Sequence, residues 1–124
     1  MRRTSYGGWI GSTEHDTVER VIRSWLLVAG LNVEILRVEN RPFGCELTYA
    51  DAAVELFCHE ALCASGGHFV LEGYVNIPPD EAMPLLRALV AQCRLRGLES
   101  EIDYVGVDAD DNQLSAELTI RAAL

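Results

Sequence analysis

The densest run of chemically capable side chains is Cys58-His59-Glu60-Ala61-Leu62-Cys63-Ala64-Ser65-Gly66-Gly67-His68. Thiolate and imidazole are ligands that zinc accepts, and a thiol beside an imidazole is also the arrangement of a nucleophile and its base. On a helix, Asp51, Glu55, His59 and Cys63 would stand four residues apart on one face. His59 and Cys63 could then hold one metal ion, with His68 returning from the next element. CxxC and HExxH spacings are both missing, so the competing reading is a polar helix face with two half-buried thiols. Cys58 or Cys63 paired with His68 is the only nucleophile arrangement on offer, and no Ser–His–Asp set accompanies it. No residue is assigned a catalytic role, and no cofactor is implied.

Two further stretches look chemical and fail on inspection. Asp108-Ala109-Asp110-Asp111-Asn112 begins like a calcium loop, but Gln113 and Thr119 stand where such a loop needs glycine and glutamate. An acidic turn is the better reading. Gly7-Gly8-Trp9-Ile10-Gly11 lacks the spacing of a phosphate loop, and the chain contains no lysine at all. It reads as a glycine-softened edge strand. Trp9 and Tyr74 are more promising. If one sheet face is open, these rings with Glu34 and Glu101, and with Glu46 and Glu117 nearby, would suit a cationic or aromatic ligand. If the face is covered, both rings are ordinary core.

An internal match positions these residues. Ala29-Gly30-Leu31-Asn32-Val33-Glu34-Ile35 lines up with Arg96-Gly97-Leu98-Glu99-Ser100-Glu101-Ile102. Gly8-Trp9-Ile10 matches Gly73-Tyr74-Val75 upstream, and Glu46-Leu47-Thr48 matches Glu117-Leu118-Thr119 downstream. Residues 6–11 and 68–77 have strand composition. Apolar residues then recur at helical spacing: Val18, Val21, Ile22, Trp25 and Leu26 in one half, and Leu85, Leu86, Leu89, Val90 and Cys93 in the other. The spacing predicts helices at 14–29 and 81–96. Thr13 and Asp16 would cap the first, while Pro84 could move the start of the second later. Gly30 and Gly97 would close them. Alternating strands follow at 33–38 and 102–107, then turns, then strands near 43–49 and 114–122.

The expectation is therefore an α+β fold. Two βαββ pseudo-repeats (residues 6–49 and 68–122) form one mainly antiparallel sheet with helices packed on one face. Residues 50–66 link them and read both ways. Four alanines favour a helix, which is the expectation adopted here, whereas Val54, Leu56 and Cys58 alternate as in a strand. Paired modules of this shape resemble, in architecture alone, the small-molecule-binding regulator domains and the vicinal oxygen chelate group. No motif of either group accompanies the likeness, so it implies no activity.

Composition narrows the partners. At 124 residues the chain is one domain, and 49% hydrophobic residues can build a core. Ten basic residues, all arginine, face 19 acidic ones for a net charge of −9. Such a surface does not wrap nucleic acid. Apolar runs are too short to span a membrane, and a basic N-terminus without an apolar stretch predicts a cytoplasmic protein. Cys45 and Cys93 sit in apolar patterns and should be buried. Three functions remain: a binding protein engaging a protein partner or its own copy through the sheet face or acidic surface; a small-molecule-binding domain with a groove where the repeats meet; and a small metal-dependent enzyme using His59, Cys63 and His68.

Overall fold

Residues 2–61 and 68–122 are described by the computed structural model. Strand β1 (Arg3–Ile10) leads into helix α1 (His15–Val28), then a 3₁₀ turn at Val33–Ile35, then strands β2 (Arg37–Arg41), β3 (Gly44–Ala50) and β4 (Val54–Ala61). Strand β5 (His68–Val75), helix α2 (Pro79–Leu95), and strands β6 (Ser100–Val107) and β7 (Leu118–Ala122) complete the chain. The seven strands form one antiparallel sheet in the order β2-β3-β4-β5-β1-β6-β7.

Alternation decides which face is buried. Tyr6 and Ile10, Leu47, Leu56 and Cys58, Phe69 and Leu71, and Ile102 and Tyr104 all point one way. They share a single core with Val18, Ile22, Trp25 and Leu26 of α1 and Leu86, Leu89 and Cys93 of α2. The helices thus cover one face. Trp25 ties them together, its indole N–H donating to the Leu85 carbonyl at 2.9 Å. Cys45, Cys58 and Cys93 are all buried on this side.

Both helices end at the expected glycines, which adopt φ 72° and 70°. In each, the amide after the glycine reaches back five residues, Leu31 to Leu26 and Leu98 to Cys93, and satisfies a terminal carbonyl. The starts differ from expectation. Helix α1 opens at His15 after Glu14, and Thr13–Asp16 does not cap it. Helix α2 begins at Pro79 and runs through Pro84. Pro84 lies in the second turn, where its missing N–H forgoes the bond to the Asp80 carbonyl.

Three strand expectations are corrected. Within the expected helix at 50–66, the described residues 50–61 are not helical, and residues 62–66 lie outside the described residues: Val54–Ala61 is β4, paired on both sides by β3 and β5. Its period-two burial wins over alanine's helix propensity because two neighbouring strands satisfy its backbone. The Asp51 carboxylate turns β3 into β4 by accepting from the amides of Ala53 and Val54 at 2.7 and 2.8 Å. Residues 33–38 are not one strand either. Asn32 accepts from the Glu34 amide, starts the 3₁₀ turn, and swings Leu36 into the core. Finally, β1 is central and not an edge, lying between β5 and β6.

The elements run βαββ, then β4, then βαββ, yet the hairpins do not sit equivalently. Hairpin β6–β7 lies directly beside β1, whereas β4 separates hairpin β2–β3 from β5. No helix is long and apolar enough to cross a membrane, among the described residues.

Candidate functional site

The face away from the helices is built in rows, one residue per strand. Cross-strand partners in an antiparallel sheet point to the same side. One row reads Arg37, Thr48, Phe57, Glu72, Gly7, Asp103, Thr119 from β2 to β7. The next reads Ala50, Glu55, Tyr74, Ser5, Val105. A third, on the other side of the first, reads Glu39, Glu46, His59, Val70, Trp9, Glu101, Arg121.

A cavity of about 880 Å³ runs over the first two rows. Its volume is that of a small-molecule site. Ile35 beside Arg37 and Glu117 before β7 add to its walls. Gly7 forms the floor between Glu72 and Asp103. A Cβ there would approach only the Leu71 carbonyl, at 3.6 Å. Its neighbours in the strand pair are different. At Gly8 a Cβ would fall 1.9 Å from the Glu101 carbonyl oxygen, and at Gly73 1.9 Å from that of Glu55. The strands approach each other too closely at these two points for any side chain. Tyr6 uses the gap over Gly73 to donate its hydroxyl to the Glu55 carbonyl at 2.9 Å.

The rows differ in charge balance. Third-row carboxylates each have an arginine partner: Arg41 pairs with Glu39 and Glu46, and Arg121 with Glu101. In the cavity, Glu55, Glu72 and Glu117 have no ion pair among the described residues, nor does Arg37. Asp103 accepts the Thr119 hydroxyl at 2.6 Å. Four carboxylates therefore face one guanidinium across the cavity.

One end is closed by an interlocked trio. Arg3 lies 3.8 Å over the Tyr74 ring centroid and donates to Asp111 at 3.1 Å. Tyr74 donates its hydroxyl to the same carboxylate oxygen at 3.0 Å. That bond, with burial, raises the Tyr74 hydroxyl above its ordinary pKa. The loop before it is an acidic turn as expected. The Asp108 carboxylate accepts from the amide and side chain of Asn112 and from the amide of Asp110, which hold it below the ordinary carboxylate range.

The residues singled out from sequence are only partly brought together. Tyr74 lines the cavity, with one ring face already under Arg3. Trp9 is half-buried on the same face but belongs to the third row, edge-on to His68 with ring centroids 6.5 Å apart. Glu101 is in that row too, paired with Arg121. Glu34 is exposed on the 3₁₀ turn outside the cavity. Glu46 is in the third row, whereas Glu117 lines the cavity.

The metal and nucleophile ideas change with the strand. His59 stacks on Phe57, with centroids 5.1 Å apart, and no longer shares a helix face with Asp51. His59 and His68 do share the open face on adjacent strands, while Cys63 lies outside the described residues. No cluster of three metal-ligating side chains is present among the described residues. Cys58 cannot pair with His68. Its side chain faces the helices, fully buried, and burial pushes its thiol up to about 12.

Sequence reasoning missed Gly7, Phe57, Glu72 and Asp103, which make the middle of the cavity. The usable signal was the alternation of Glu55, Phe57 and His59, which a strand reading of 54–61 would have placed on the open face. No protein-family model matches this chain, and no curated protein matches it.

Proposed function

We propose that the protein is a non-catalytic binding module that takes a small positively charged ligand in the groove on its open sheet face. The observation that carries this is the charge imbalance of the groove, whose carboxylates are unpaired, beside a row whose carboxylates each have an arginine partner. Asp103 is half-buried and Glu55, Glu72 and Glu117 are exposed, so the gain comes from one cation meeting several unpaired carboxylates through charged hydrogen bonds. The groove lies over β5 and β1, the strands that open the two βαββ segments, and Gly8 and Gly73 make the same close strand contact on either side of it. Both facts support the reading of a duplicated fold with its site at the seam. Three buried cysteines without a disulfide fit a cytosolic setting. The breadth of the groove across five or more strands also supports a second reading, in which a basic segment of a protein partner lies across the sheet.

A thermal-shift panel of amines, guanidines and their neutral isosteres tests the first reading. Cationic members are expected to raise the melting temperature of the wild type, and Gly7→Leu, which fills the groove floor, is expected to remove the shift. Equal response to cations and neutral isosteres, or an unchanged shift in Gly7→Leu, would overturn it. Binding of a basic peptide with no response to any small cation would favour the partner reading.

A further inference from the structure

We infer that the ligand is an elongated aliphatic polycation, a linear polyamine; this rests on the groove being the binding site. The first ground is how the carboxylates are distributed. Glu55 stands on β4, Glu72 on β5, Asp103 on β6, and Glu117 just before β7. Glu72 and Asp103 straddle Gly7, which at ordinary strand spacing separates their backbones by about 10 Å. A compact monovalent cation can meet one or two of these groups. Amines joined by short alkyl chains can meet them in succession.

The second ground is what lies between the charges. Gly7, Ser5, Val105 and Ala50 offer small or apolar surface suited to methylene groups, and Gly7 leaves the floor open. The third ground is the state of the rings. Aromatic or quaternary cations are held by the faces of several rings. Here Phe57 is stacked with His59, and one face of Tyr74 is occupied by Arg3. At the far end, beyond Phe57 and Thr48, Arg37 repels a cation and confines the chain to the carboxylate side. The net charge of −9 adds long-range attraction.

Titration calorimetry of the whole protein with butylamine, 1,4-diaminobutane and spermidine tests this, with Mg²⁺ and phenethyltrimethylammonium as controls. Affinity is expected to rise about tenfold for each added amine, since a charged hydrogen bond contributes about 1.5 kcal/mol or more. It should weaken with added salt. Glu72→Gln and Asp103→Asn are each expected to weaken spermidine about tenfold and butylamine little. Butylamine binding as tightly as spermidine, or Mg²⁺ displacing spermidine at equal concentration, would overturn the inference. So would tighter binding of the aromatic cation; if that binding is lost in Gly7→Leu, the groove survives as the site and only the ligand class falls. Spermidine binding that ignores Gly7→Leu, Glu72→Gln and Asp103→Asn would mark diffuse attraction to an acidic surface and sink both readings.

Discussion

Three glycines within one strand pair should respond to alanine in opposite ways. At Gly8 the new Cβ would lie 1.9 Å from the Glu101 oxygen and 2.9 Å from its carbonyl carbon. Both atoms are backbone, so no side chain can rotate away. Relief requires β1 and β6 to part by about 1.5 Å, the shortfall from ordinary van der Waals contact. Overpacking of this kind costs about 1–3 kcal/mol, and loosening one or two ladder hydrogen bonds adds about 1 kcal/mol each. Gly8→Ala should therefore lose about 2–5 kcal/mol from a total that is typically about 5–15 kcal/mol. Gly73→Ala meets the Glu55 oxygen at 1.9 Å and the Tyr6 hydroxyl at 2.8 Å, so its loss should be at least as large. Gly7→Ala meets nothing closer than 3.6 Å and reduces the freedom of the unfolded chain. It should gain about 0.4–1 kcal/mol. At about 4 °C per kcal/mol for a domain of this size, the melting temperature should fall by about 8–20 °C in the first two variants and rise by about 2–4 °C in the third. Urea titration gives the free energies directly. Gly8→Ala and Gly73→Ala within a degree of wild type, or Gly7→Ala falling as far as they do, would refute the account of the strand contacts.

Other sites give equally definite expectations. Asp51→Ala leaves the Ala53 and Val54 amides and the Tyr49 hydroxyl without their acceptor and should cost about 2–3 kcal/mol in urea. Burial alone would raise the Asp51 pKa, but those three donors hold it below its ordinary 3.8; the stability it contributes is present above that value and should fade as acid titrates the folded carboxylate, a fade that Asp51→Ala removes. Burial pushes the Cys58 and Cys93 thiols up to about 12 and about 11 from 9.0. The unfolded chain therefore loses these protons first, and stability should drop as pH rises past 9.0, with Cys58→Ala flattening the slope by up to about 1.4 kcal/mol per pH unit. Gly30→Ala and Gly97→Ala meet no atom within 4 Å but force φ near 70° on a residue with a Cβ; each should cost about 1–2 kcal/mol, and Gly30→Asn should recover part of it.

Helices and their stops were legible because local rules decide them. Val18, Ile22, Trp25 and Leu26 carry a helical period that no other element can bury, and a glycine at φ near 70° is a property of the residue itself. The acidic turn at Asp108 was legible for the same reason, since its side chain bonds its own neighbours. What sequence could not deliver was sheet order. Residues 33–38 and 102–107 have similar patterns, but only the second finds two partners, β1 and β7. The first is left beside an exposed edge, where the Asn32 cap wins. Residues 54–61 went the other way. The alanines in and around them and their ladder of polar groups suit a helix until β3 and β5 are in place to bind both sides of the strand. Trp9 and Tyr74 stand on a common face, yet four residues of register separate them, with the Gly7 row in between.

That misread strand is also what makes the site. Without β4, hairpin β2–β3 would have no route to β5, and the open face would lose Glu55 and Phe57 from the middle of the groove. As a helix, the segment would have gathered Asp51, Glu55, His59 and Cys63 on one side and pointed toward metal chemistry. As a strand, it sends Cys58 into the core, where burial keeps the thiol protonated and inert, and sends Glu55 and His59 to the opposite face on either side of Phe57. The same backbone choice therefore removes a nucleophile and creates a charged wall. Stability rests on the helix side of the sheet, where the three described cysteines are buried. The unneutralised carboxylates stand on the other, where Gly7 can be altered without touching the core. This separation is why changes to the groove and changes to the fold can be measured independently in this protein.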